Sequence, residues 1–210
     1  MIRNKVKRHL LKLILQGDLQ VGQTINLAKT ARSLGVSVTP VREALSQLEQ
    51  ARILASIPNR GFIVPKLSLQ EIRDLYSAMA DLELMAMEQS VYTAKLIQKL
   101  KEEQVLLQQS HTNGVRIQRR MQFHQLLIKA CSNQILKQLI TDLQARILFY
   151  ERMLLTDAEM FETTDNQNEG IIRALEEDNL PTAILIAKMN WMHLLEHMEK
   201  QLIRQTKVNF

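Results

Sequence analysis

Two stretches of this chain set residues capable of chemistry at helical spacing. In "RRMQFHQLL" (119–127), Arg120 and His124 lie four residues apart, with Phe123 and the Leu126–Leu127 pair marking an apolar side. Residues at i and i+4 share one face of a helix. An imidazole on an apolar face is explained by internal packing, or by a pocket that holds a small molecule or a metal. Both explanations stay open on these residues alone. The second stretch is "VSVTPVREALSQLEQARIL", where Arg42 falls in the first turn of an expected helix. A guanidinium there can grip guanine O6/N7 or a phosphate. Ser37 and Thr39 can donate to phosphates together with the N–H groups of the helix start.

The elements around the second stretch follow from local signals. "VKRHLLKLILQG" has Val6, Leu10, Leu13 and Ile14 at helical spacing and is expected to stop at Gly17. A second helix is expected from about Leu27 to Leu34, ended by Gly35 in a left-handed cap. For the third, Thr39 is read as the N-cap and Pro40 as the first helical residue, with Val41, Leu45 and Leu48 inward. "ILASIPNRGFIV" then reads as two short strands joined by a turn at Pro58–Gly61. This order is that of a winged helix-turn-helix. At the hairpin tip, Asn59, Arg60 and Gly61 would enter the minor groove, where arginine favours the negative potential and glycine permits close approach.

Charge supports that reading. Residues 1–66 hold eleven Lys and Arg against Asp18, Glu43 and Glu49, a net of +8, while the remainder is net −3. One third of the chain is built to approach a polyanion. The boundary is expected at "VPKLSLQEI", where Pro65 disfavours helix before it and Ser68 with Glu71 fits a capping box. That gives a domain over 1–65, a linker over 66–68 and a second domain over 69–210. In the second domain helical segments are expected at about 69–93, 95–110, 115–131, 134–155, 157–178 and 181–205, with a further capping box at Thr156 and Glu159. Short connections between them imply an antiparallel bundle. The fold class is therefore mainly α: a winged helix-turn-helix followed by an all-α bundle of about six helices. Methionines at 79, 85, 87, 153, 189, 192 and 198 are expected chiefly as core filler.

Composition narrows the compartment. One cysteine, Cys131, allows no intrachain disulfide and suits a reducing cytoplasm. The apolar part of "MIRNKVKRHLLKLILQG" is short and broken by Lys12, so it reads as neither signal peptide nor span. A basic helix lying on a membrane surface is the alternative for that segment. Glu-x-x-His, His-Glu-x-x-His, Gly-x-Gly-x-x-Gly and phosphate-loop motifs are missing, which counts against an enzyme.

"SVTPVREALSQLEQARIL" followed by "PNRGFIV" resembles the signature of GntR-type bacterial transcription regulators, over about residues 4–65. The resemblance implies that Arg42 contacts DNA from the recognition helix, and Arg60 and Gly61 from the wing. The family usually carries arginine where this chain has Val38, which can touch a thymine methyl but cannot donate a hydrogen bond. "DLYSAMADLELMAMEQS", "FHQLLIKACSNQIL" and "GIIRALEEDNLPTA" resemble the helical FCD effector-binding and dimerisation domain of the FadR branch of that family. Many such domains hold a divalent metal, of zinc or nickel type, with one aspartate and three histidines. On that resemblance His124 fills the first histidine position, Arg120 the aspartate position, and Asn168 and Asn190 the other two. Arginine repels a divalent ion, so no cofactor is expected, although His193 turned inward could partly rebuild a metal site. Arg120, His124, Asn168 and Asn190 are instead expected to bind a small carboxylate directly. The rival is a pocket that has lost its ligand, with Arg120 turned to solvent and His124 packed internally.

The expected function is a cytoplasmic, ligand-responsive DNA-binding regulator, a repressor or an activator, acting as a homodimer on a pseudo-palindromic operator, with double-stranded DNA, a second copy and a small organic acid as partners. The alternatives are an architectural DNA-binding dimer without effector and a metal-dependent helical-bundle enzyme.

Overall fold

A computed structural model describes residues 2–15, 18–19, 21–58, 61–66, 68–155 and 159–208. The chain divides into two compact units, Met1–Leu67 and Ser68–Phe210. Leu67, inside the expected linker, lies outside the described residues.

The first unit runs α1 (Ile2–Leu15), β1 (Thr24–Ile25), α2 (Leu27–Leu34), α3 (Val38–Gln50), β2 (Ala55–Ile57) and β3 (Gly61–Ile63). Val6, Leu10 and Ile14 form one buried stripe on α1, which packs on α3, whose Val41, Leu45 and Leu48 are also buried. Gly17, the expected stop of α1, lies outside the described residues. Asn26 caps α2 by accepting from the Lys29 amide at 2.9 Å, and Gly35 ends it at φ 63°.

The start of α3 differs from the expectation. Ser37 is the N-cap, extended at φ −71° and ψ 165°, so Thr39 and Pro40 are the second and third helical residues. Proline is tolerated there because the first amides of a helix have no intrahelical partner. The hairpin is present and gains a strand the pattern did not show: β1 pairs with β3, giving the order β1-β3-β2. Gly61 has φ +95°, and an added Cβ would sit 3.4 Å from the Ile25 carbonyl oxygen. The positive φ, which side-chain-bearing residues rarely adopt, therefore accounts for this glycine.

The second unit holds α4 (Leu69–Glu88), α5 (Ala94–Gln108), α6 (Asn113–Leu127), α7 (Gln134–Leu154), α8 (Glu159–Glu176) and α9 (Leu180–Val208). The Ser68 hydroxyl accepts from the Glu71 amide at 3.0 Å, which is one half of the capping box. The Glu71 carboxylate instead receives the Tyr150 hydroxyl and pairs with Arg146. Thr93, Thr112 and Asn133 cap the next three helices in the same way as Ser68. The expected Thr156–Glu159 capping box lies outside the described residues and side chains.

Helix α9 packs on α4, α7 and α8, and α5 on α6 and α8. Met87, Leu100, Phe123, Leu127, Ile171 and Leu175 form a buried cluster among these helices. Met79 and Met198 are also buried, whereas Met85 and Met189 are exposed. Cys131 is a buried free thiol. No helix among the described residues is long and apolar enough to cross a membrane.

Candidate functional site

In the first unit the core fixes which residues face outward. With Val41, Ala44, Leu45 and Leu48 all at 0% exposure, the opposite face of α3 carries exposed Ser37, Val38, Thr39 and Arg42. The Ser37 side chain makes no capping bond. A guanidinium, a hydroxyl pair and a branched methyl group are thus presented together at a helix N-terminus, where the backbone dipole attracts phosphate. Gly61 opens β3 at the hairpin. Asn59 and Arg60, expected at the hairpin tip, lie outside the described residues.

In the second unit Arg120, His124, Asn168 and Asn190 all have 0% exposure. The alternative of an Arg120 turned to solvent is corrected: its Nη2 donates to Glu151 Oε1, and its guanidinium lies 5.0 Å from the Trp191 ring centroid. Tyr76 donates its hydroxyl to the same Glu151 oxygen at 3.2 Å. His124 Nδ1 lies 2.8 and 3.0 Å from the two Glu83 oxygens, and Trp191 Nε1 donates to Glu83 at 2.9 Å. The other imidazole nitrogen is 3.4 Å from Arg120 Nη1. A tautomer with the proton on Nδ1 satisfies every one of these contacts, with Nε2 accepting from the arginine.

The cluster thus sets two carboxylates against one guanidinium. Burial pushes the Glu151 carboxyl up, with the charge of Arg120 opposing, and burial with the Glu151 charge pushes the Tyr76 hydroxyl up as well.

The two asparagines form a separate polar chain. Asn190 Nδ2 donates to Asn168 Oδ1 at 3.3 Å and approaches the Thr164 carbonyl at 3.4 Å. Asn168 Nδ2 donates to Gln104 Oε1 at 2.9 Å. Among the described residues, three buried atoms across the two groups have no hydrogen-bond partner: Arg120 Nε, Glu151 Oε2 and Asn190 Oδ1.

Comparison with known proteins decides the family. Residues 2–64 match the model "Bacterial regulatory proteins, gntR family", and residues 74–189 match the "FCD domain" model. The chain belongs to the GntR family of regulators with an FCD domain. The HTH-type transcriptional regulator YdhC of Bacillus subtilis is 26% identical over 204 residues, covering 94% of this chain and 91% of that protein. The HTH-type transcriptional repressor GlaR of Escherichia coli is 26% identical, covering 77% and 80% respectively. The solved structure of E. coli McbR/YncC superposes with a TM-score of 0.74 at 24% identity, covering 96% of this chain and 98% of that one. The fold is thus that of GntR regulators, and the chain is a DNA-binding transcription regulator of the GntR/FCD type.

A divalent metal of the kind many FCD domains hold does not fit these residues. A guanidinium tied to Glu151 stands at the carboxylate position, and amides in a hydrogen-bonded chain stand at two of the histidine positions. No group of three or more His, Cys, Asp or Glu among the described residues could hold a metal ion. His193 does not turn inward: it is half-buried in a surface cleft beside Met160, Thr163 and Lys200.

The sequence reading missed Glu83, Glu151, Tyr76, Trp191 and Gln104. A signal was available for Glu83. The buried positions of α4 run Ile72, Leu75, Tyr76, Met79, Ala80, Glu83, Ala86 and Met87, so the helical period puts this carboxylate inward. A charge on an inward position calls for a buried partner.

Proposed function

We propose that this GntR/FCD regulator acts as a homodimer on a pseudo-palindromic operator and responds to a small organic anion in its helical unit. Two copies would present two helices α3 to successive major grooves, each reading with Val38 and Arg42 while Ser37 and Thr39 hold phosphates. The effector would occupy the interior at Arg120, His124, Asn168 and Asn190. The observation that supports this is the Arg120 Nε donor, buried and without a hydrogen-bond partner among the described residues in a pair whose Glu151 Oε2 is unpartnered as well.

Charge sets a condition on this reading. An anion added beside the Glu83 and Glu151 carboxyls and the Arg120 guanidinium is favoured by uptake of a proton. The raised Glu151 carboxyl is the group suited to take it. Anion affinity is therefore expected to rise as pH falls. The ligand can act on DNA binding only through different affinities for the competent and incompetent arrangements.

A second reading, a DNA-binding dimer without effector, draws on the same cluster. Glu151 and Glu83 already occupy Arg120 and His124, so the interior is nearly complete without a ligand. Selecting operators from a random duplex pool, then titrating candidate acids by anisotropy at two pH values, separates the readings. The effector reading requires an acid that shifts operator affinity, more strongly at the lower pH. A panel of acids without effect leaves the effector-free dimer, and one protomer per bound half-site would defeat the dimer.

A further inference from the structure

A cleft of about 410 Å³ opens where the end of α5 meets the starts of α6 and α8. Its wall carries an ion pair, Arg116 Nη2 with Asp165 Oδ2, and the Arg116 guanidinium lies 4.8 Å from the Phe161 ring centroid. Both side chains are largely withdrawn from solvent, at 15% and 12% exposure. Each nevertheless has a buried atom without a hydrogen-bond partner among the described residues: the donor Arg116 Nε and the acceptor Asp165 Oδ1. Native proteins rarely leave such atoms unpaired, and here one of each kind occurs in a single ion pair that lines a cavity of ligand size.

The charges narrow what can satisfy both. Glu162 also lines the cleft, so two carboxylates face one guanidinium. A simple organic acid would meet the Arg116 guanidinium but be repelled by Asp165 and Glu162. A simple amine would meet the carboxylates and leave the guanidinium without an anion. We propose that this cleft is a ligand site for a small zwitterion of the amino-acid class, its carboxylate on Arg116 and its ammonium on Asp165 and Glu162.

The site lies outside the Arg120 cluster and is hydrogen-bonded to the separate asparagine chain. Gln104 Nε2 donates to the Asp165 carbonyl at 3.3 Å, and Gln104 Oε1 accepts from Asn168, which in turn accepts from Asn190. Burial raises the Asp165 carboxyl, with Arg116 opposing. An ammonium group beside it would favour the ionised form.

The test is calorimetric titration of the full chain with the standard amino acids. Each one that binds is compared with the amine lacking its carboxylate and the acid lacking its ammonium group. The expected result is binding by one zwitterion or a related few, with each analogue at least about tenfold weaker for loss of one charge-assisted hydrogen bond. Arg116→Gln should abolish binding. Glu162→Gln, at an exposed position that does not endanger folding, should weaken it several-fold. No binding by any of the set, or binding unchanged in both variants, overturns the proposal. Because the readout is binding and not operator affinity, failure of the organic-acid reading at Arg120 leaves this inference standing, and the converse also holds.

Discussion

Arg42 stands exposed over a helix whose other face is sealed by Val41, Leu45 and Leu48, whereas Arg120 has no exposure and is held by Glu151, His124 and the Trp191 ring. Both are expected to meet an anion, one a nucleic acid and the other a small ligand. The surroundings make them different experimental objects. An exposed arginine costs the fold little to remove, so its loss reports on the partner. A buried arginine supports the fold whatever else it does, so its loss reports on both together. Function in the helical unit can be isolated only by variants that keep the interior satisfied.

The largest effect is therefore expected at Arg120. Arg120→Met leaves Glu151 buried without its cation and should destabilise the helical unit by about 3–5 kcal/mol. Replacing both partners, as Arg120→Met with Glu151→Leu, should recover most of that loss, because buried ion pairs exchanged for apolar groups are often neutral or better. Trp191 is the single tryptophan and stacks in this cluster, so denaturant unfolding followed by its fluorescence reads the unit directly. A single variant as stable as the parent would show that Arg120 does not support the fold, and the contrast with Arg42 would fail.

Arg42→Ala should do the reverse. A lost guanidinium contact to guanine or phosphate is expected to weaken operator binding by about 1–3 kcal/mol. Thermal stability should stay within about 0.5 kcal/mol of the parent, as for other exposed sites. Anisotropy on a selected operator, paired with a melting curve, measures both. Unchanged DNA affinity would remove α3 from the interface.

The legible parts of this molecule were those set by local rules. The bounds of α2 follow from periodicity and a left-handed glycine, and both were readable. The start of α3 was not, because Ser37 and Thr39 are both acceptable caps by residue type and the backbone settles on Ser37. Strand β1 has two residues, too few to show any alternation, and exists only because β3 offers it an edge. In the helical unit, His124 and Arg120 were expected to share a face, and both are buried. Their partners Glu83 and Glu151 come from helices distant in sequence, so no local window contains the pairing.

A pH series sharpens the account of buried charge. Asp165, like Glu151, holds its proton more tightly in the folded state than in the unfolded chain, through burial. Such a group contributes stability below its unfolded pKa and loses it as pH rises through the folded value. The stability of the parent relative to Asp165→Asn should therefore fall from acid to neutral pH, measured by chemical denaturation. A carboxylate stabilised mainly by its ion pair would give the opposite slope, and finding that slope would mean Arg116 outweighs burial.

The smallest effect compares two caps within the first unit. Asn26 accepts from the Lys29 amide at 2.9 Å, while Ser37 occupies the same position on α3 without a side-chain bond. Asn26→Ala should cost about 1 kcal/mol of stability, the usual worth of such a cap. Ser37→Ala removes no capping bond and should stay within about 0.5 kcal/mol, as at other exposed sites. If Ser37 holds a phosphate, its loss should still weaken binding to all duplexes nearly uniformly, because phosphate contacts carry no sequence information. Equal stability losses at the two positions would mean that Ser37 caps α3 in solution, and that its hydroxyl is committed to the helix and unavailable to DNA.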